Sequence, residues 1–85
     1  MVNIWDLFGY VNASTYRKKV LQSLAKNTMT PREIERTINI KISHISRALT
    51  ELKEKKLAEC INPSIRKYKM YQLTKQGKDL VKRIK

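Results

Sequence analysis

A single cysteine, Cys60, stands in 85 residues, so no internal disulfide can form, and the count fits a reducing compartment. Acidic residues number only 7, which leaves few carboxylates for acid–base chemistry. Four of them, Glu33, Glu35, Glu51 and Glu54, fall on segments with helical spacing, where capping and surface solvation account for them. There are two glycines and one histidine, His44. Neither a Gly-rich phosphate loop, a cysteine–histidine dyad nor a metal-spaced ligand set can be drawn, so no enzyme, cofactor or metal site is expected. No stretch approaches the roughly 20 consecutive apolar residues of a membrane span. The N-terminus also lacks the basic start, apolar run and small-residue cleavage site of a signal peptide. The expectation is a cytoplasmic protein with no membrane partner.

What the sequence has in excess is positive charge. Lysine and arginine number 19, for a formal net charge of +12, far more than solubility asks of a small domain. Such a surplus selects a polyanionic partner without choosing between nucleic acid and an anionic lipid surface. With 41% apolar residues the chain is apolar enough to fold, and its length suits one small domain.

The first stretch, 1–13, is apolar: Ile4, Leu7 and Phe8 follow i, i+3, i+4 spacing with Trp5 and Tyr10 beside them, and Asn3 is placed to cap a short helix. It reads either as an arm that covers a second subunit or as a flap packed on its own chain. The remainder, 14–85, reads as one domain. Ser14 is an N-cap for a helix to about Lys26 with a stripe of Tyr16, Val20, Leu21 and Leu24. Thr30-Pro31-Arg32-Glu33 combines a capping hydroxyl, a proline at the first helical position and a glutamate at the third. A short helix with Ile34 and Ile38 inward therefore starts there, and Asn39-Ile40 turns into the next. From Ser43 to about Lys56 a third helix carries Ile45, Ala48, Leu49 and Leu52 on one side, with Lys53, Lys55 and Lys56 suited to the negative end of its dipole. Residues 57–62 and 68–74 read as two strands around a proline-led basic loop. Thr74 then caps a final helix with Leu80, Val81 and Ile84 on one face, and Gly77 weakens its first turn. The expected class is mainly α with a small β-hairpin (α+β), containing a helix-turn-helix unit.

The outward face of the 43–56 helix bears Ser43, Arg47, Thr50 and Glu54, flanked by His44, Ser46 and Glu51. In a helix-turn-helix the second helix enters the major groove of DNA. Arg47 is then the candidate base reader, because a guanidinium donates two parallel bonds to guanine O6 and N7; a phosphate contact is its alternative. Ser46 and Thr50 suit bases or phosphates. Ser43 suits the helix cap first and DNA second, and His44 suits solvent or a phosphate. In the hairpin loop, Arg66, Lys67 and Lys69, beside Tyr68, can extend along phosphates or into a minor groove. Cys60 reads as a small buried hydrophobe rather than a redox switch.

The succession of three helices, basic hairpin and helix resembles the winged helix-turn-helix transcriptional regulators of the ArsR and MarR groups, archaeal or bacterial. Thr30-Pro31-Arg32-Glu33-Ile34 is similar to the opening of their second helix. The stretch from Ser43 to Leu52 is similar to their recognition helix, and Tyr71-Gln72-Leu73-Thr74-Lys75-Gln76-Gly77 to the strand-to-helix phrase after the wing. The resemblance covers about 16–84. It implies a homodimeric, sequence-specific regulator on double-stranded DNA, with dimer contacts from the N-terminal segment and the C-terminal helix. Metal-sensing members use clusters of cysteine and histidine that this chain lacks. An RNA-binding or ribosome-associated winged-helix protein is the alternative, since positive charge alone does not separate the two, and a protein-interaction wing is a third.

Overall fold

A computed structural model describes residues 3–84. Met1, Val2 and Lys85, the outer ends of the two predicted stretches 1–13 and 14–85, lie outside them. The described residues form α1 (Ile4–Asn12), α2 (Thr15–Lys26), α3 (Pro31–Ile38), α4 (Ile42–Glu54), β1 (Ala58–Cys60), β2 (Tyr71–Leu73) and α5 (Lys75–Arg83). This is the predicted α+β order.

The helix starts follow from local chemistry. Asn3, Ser14 and Thr74 each accept a backbone N–H of the first turn they precede. Thr30 and Glu33 close a reciprocal capping box with Pro31 at the first helical position. Asn39 adopts φ 54° after α3, the left-handed turn that ends one helix and aims the next. α4 departs from the expected pattern, because Lys41 precedes it and Ser43 lies inside it, so Ser43 is not its cap. The free N–H of Ile42 instead donates to Glu35 Oε2 of α3, at 3.1 Å. A carboxylate from the preceding helix thus fills the role assigned to a local hydroxyl, and its charge suits the positive end of the α4 dipole.

The far end of α4 closes in a Schellman turn. Leu57 N–H donates to the Leu52 carbonyl at 2.9 Å and Lys56 N–H to Lys53 at 3.0 Å, with Lys56 at φ 61°. Leu52 and Leu57 are both fully buried, so the motif's hydrophobic contact holds a lysine where glycine is the usual residue. From there the chain enters the hairpin, antiparallel with Ala58 opposite Leu73 and Cys60 opposite Tyr71. The strands are three residues each, shorter than predicted. Pairing stops where Pro63 and the polar loop begin, which offer no apolar face to bury. Met29, between α2 and α3, bridges the other edge of β2 through two bonds to Tyr71, at 3.1 and 2.8 Å.

One core joins these elements: Val20, Leu21, Leu24, Ile34, Ile45, Leu49, Leu52, Leu73 and Leu80 are buried together. Leu7 and Val11 of α1 and Ile84 belong to the same cluster, with Ile4, Phe8 and Val81 packed against it. The apolar faces predicted to be available to a second subunit are therefore largely covered by their own chain. Trp5, 61% exposed, remains; it meets Phe8 edge-on and lies under the Arg83 guanidinium at 5.6 Å. Gly77 takes a role beyond weakening a turn. A Cβ there would collide with the Leu57 carbonyl oxygen, so its absence lets α5 press onto the base of the hairpin.

Candidate nucleic-acid interface

Ile45, Ala48, Leu49 and Leu52 turn one side of α4 into the core, which leaves Ser43, His44, Ser46, Arg47 and Thr50 exposed. α4 is also held from behind by charge. Arg17 of α2 donates from Nε and Nη2 to the two carboxylate oxygens of Glu51, at 3.2 and 3.4 Å, and from Nη1 to the Tyr10 carbonyl at 2.8 Å. Its guanidinium lies 3.9 Å from the Tyr10 ring centre. The forked geometry and partial burial of this pair make it stronger than a surface ion pair. Glu51 is thus a structural anchor rather than the solvated flank expected of it. Periodicity placed Glu51 on the flank of its helix, and nothing in the sequence said that this flank faces Arg17 of α2.

Arg47 is 82% exposed and touches the same carboxylate only at 3.8 Å. A pair this long and solvated is weak, so the guanidinium is free to exchange it for another acceptor. Thr50 donates its hydroxyl to the Ser46 carbonyl at 3.0 Å, which leaves its oxygen able to accept and its methyl free. His44 stacks on Tyr16 at 4.4 Å with the rings 11° from parallel. Tyr16, predicted in the core stripe, is exposed and serves as this platform instead.

Across from α4 stands the hairpin loop. Arg66 and Lys67 are exposed and Lys69 half-buried. Together with Ser46, Arg32 and Arg36 they line one open groove of about 920 Å³ between α3, α4 and the wing. The fold therefore brings one predicted helix residue and all three predicted loop residues to one groove. Ser43, His44, Arg47 and Thr50 lie on exposed α4 outside its lining. The sequence reading missed Arg32 and Arg36. Their i, i+4 spacing opposite Ile34 and Ile38 was the available signal. Tyr71 closes the groove floor, and burial pushes its phenol above its ordinary pKa, with Cys60 opposite it adding to the rise. Cys60 itself is half-buried rather than buried and points its thiol at Asn62 Oδ1, at 3.5 Å. Among the described residues no three histidine, cysteine or acidic side chains come together as metal ligands, and no helix is long and apolar enough to cross a membrane.

Solved structures share this fold. BigR, a transcriptional repressor from Xylella fastidiosa, superposes with a TM-score of 0.76 at 20% identity, over 93% of this chain and 77% of its own. The chain has the winged-helix fold. Reduced MarR from E. coli matches at 0.72 and 20% identity, over 98% of this chain and 74% of its own. Lactococcus lactis ZitR matches at 0.74 and 20%, over 82% of this chain. The chain spans about half the length of ZitR. No protein-family model matches the sequence, and no curated protein does. With 93% and 98% of this chain covered by the BigR and MarR matches, the resemblance drawn from the 30–34, 43–52 and 71–77 phrases holds at the level of fold.

Proposed function

We propose that this chain is a sequence-specific double-stranded DNA-binding transcriptional regulator. α4 enters the major groove, while Arg66, Lys67 and Lys69 grip the flanking backbone or minor groove. The observation that carries this reading is a polar, outward α4 face, fixed from behind by Arg17 and Glu51, beside a groove whose walls carry cations from both α3 and the wing. A fixed polar helix suits base edges, and a cationic groove suits the phosphates that position it. Arg47 reads a base; Ser43, Ser46 and Thr50 contact bases or phosphates; and His44, stacked on Tyr16, supplies a phosphate contact. A duplex with two half-sites calls for a homodimer. With Leu7, Val11, Leu80 and Ile84 already buried, Trp5 is the exposed apolar residue of the α1 and α5 side on which we place that contact.

The test is fluorescence-anisotropy titration against random duplex DNA and against single-stranded and hairpin RNA at several salt concentrations. It is followed by selection of preferred duplexes and by sedimentation of the protein alone. Salt-sensitive duplex binding with an enriched two-fold motif supports the reading. Preference for RNA would transfer the same groove to an RNA-binding or ribosome-associated role.

A further inference from the structure

The wing carries a feature that charge does not explain. Tyr68, at the loop, is 80% exposed and holds φ 60°, a conformation side chains with a Cβ rarely adopt. It is kept there by Asn62, whose Nδ2 donates to the Tyr68 carbonyl at 3.2 Å while its Oδ1 accepts from Met70 N–H at 2.8 Å. The Cys60 thiol donates to the same Oδ1. The backbone that carries this large exposed ring is thus fixed by a dedicated side chain, on a loop that has no core of its own. Tyr68 also lines the groove between wing and α3, in company with Arg32, Arg36, Arg66 and Lys67. The lining carries five cations, Lys69 included, against one acid, Glu33, and Arg32 is additionally paired with Glu35 at 3.2 Å, so the groove presents a net positive charge with one aromatic wall.

We infer that Tyr68 is a non-ionic DNA contact, packing its ring against the deoxyribose edge of the strand whose phosphates the groove cations hold, and that Asn62 is the residue that positions it. The occupant follows from complementarity: a sugar–phosphate strand offers regularly spaced anions for the arginines and lysines and an apolar sugar edge for the ring. Fixing the loop before binding spares the ordering entropy that a mobile aromatic would lose. This inference rests on the duplex-binding reading above, and it adds the contact that electrostatics does not supply.

The experiment is a salt series of anisotropy titrations on random duplex DNA with the full chain and the variants Tyr68→Ala, Tyr68→Phe, Asn62→Ala and Tyr68→Ala/Asn62→Ala, with a thermal melt of each. Tyr68→Ala should weaken binding about tenfold at every salt concentration, with the slope of log K against log salt unchanged. Tyr68→Phe should stay within about twofold. Arg66→Ala, as the ionic control, should reduce the slope by about 0.9. Asn62→Ala should fall as far as Tyr68→Ala, and the double variant no further. Normal affinity of Tyr68→Ala or a changed slope would overturn the contact while leaving duplex binding intact. Additive losses would overturn the positioning role of Asn62. If the unaltered chain bound no duplex at all, the regulator reading and this contact would fall together.

Discussion

α4 and the hairpin border the same groove but are built on opposite terms. α4 is anchored along its length: four side chains enter the core, a Schellman turn closes one end, a carboxylate from α3 caps the other, and the Arg17–Glu51 fork pins its flank. The wing has three residue pairs of sheet, a ten-residue connection from Ile61 to Met70 that is mostly exposed, and Asn62 as its internal brace. Specific base reading needs side chains held to fractions of an ångström, and packing provides that. Backbone gripping tolerates adjustment, and a loop set by a few hydrogen bonds provides that. On the proposed reading, the difference teaches that rigidity is distributed according to the precision each contact needs.

The contrast breaks most severely at Gly77, where the base of the wing meets α5. Gly77→Ala forces a Cβ into the Leu57 carbonyl and should destabilise the fold by about 3 kcal/mol, read in a urea melt. Loss of less than about 1 kcal/mol would show that α5 can slide away from the hairpin without cost. Next comes the pin behind α4. Arg17→Met leaves the half-buried Glu51 carboxylate with only the long, solvated contact from Arg47 and should cost about 2 kcal/mol of stability. Adding Glu51→Gln should restore part of that, because the unpaired charge is gone; no restoration would assign the loss to packing over Tyr10.

Two binding changes then separate helix from wing. Arg47→Ala should erode discrimination at one base pair by about 1–3 kcal/mol while sparing random duplex. Equal losses on selected and random DNA would make Arg47 a phosphate contact. Lys67→Ala should weaken all duplexes alike, by about 1 kcal/mol at physiological salt, and lower the salt slope by about 0.9. A sequence-dependent loss there would move base reading into the wing.

Much of the scaffold was legible from the chain alone, for local reasons. The Thr30–Glu33 box, Ser14 and Thr74 act on N–H groups three residues away, so the sequence carries both partners in one window. The alternation of apolar residues in α4 names its buried side, and the surviving polar side names Ser43, His44, Ser46, Arg47 and Thr50 as exposed. Where two plausible local partners compete, the same logic misleads: a serine near a helix start looks like a cap, yet Glu35, seven residues before Ile42, takes that bond. Tyr16 fits an apolar stripe by spacing and nevertheless stacks on His44, because the stripe's edge meets α4 at a solvent boundary. The dimer arm and the domain ends at 1–13 and 14–85 remain proposals, as do the individual DNA contacts.

The sequence by itself determined the order of elements, the starts of α1, α2, α3 and α5, the buried faces and the positive charge, because each depends on residues within a turn or two or on a simple sum. Only the tertiary structure decided that Arg17 and Glu51 clasp across 34 positions, that Arg32 and Arg36 stand opposite the wing, and that Gly77 admits the Leu57 carbonyl. Those facts depend on how helices cross and how closely backbones approach, which is settled by the packing of the whole core and is written in no single window of the chain.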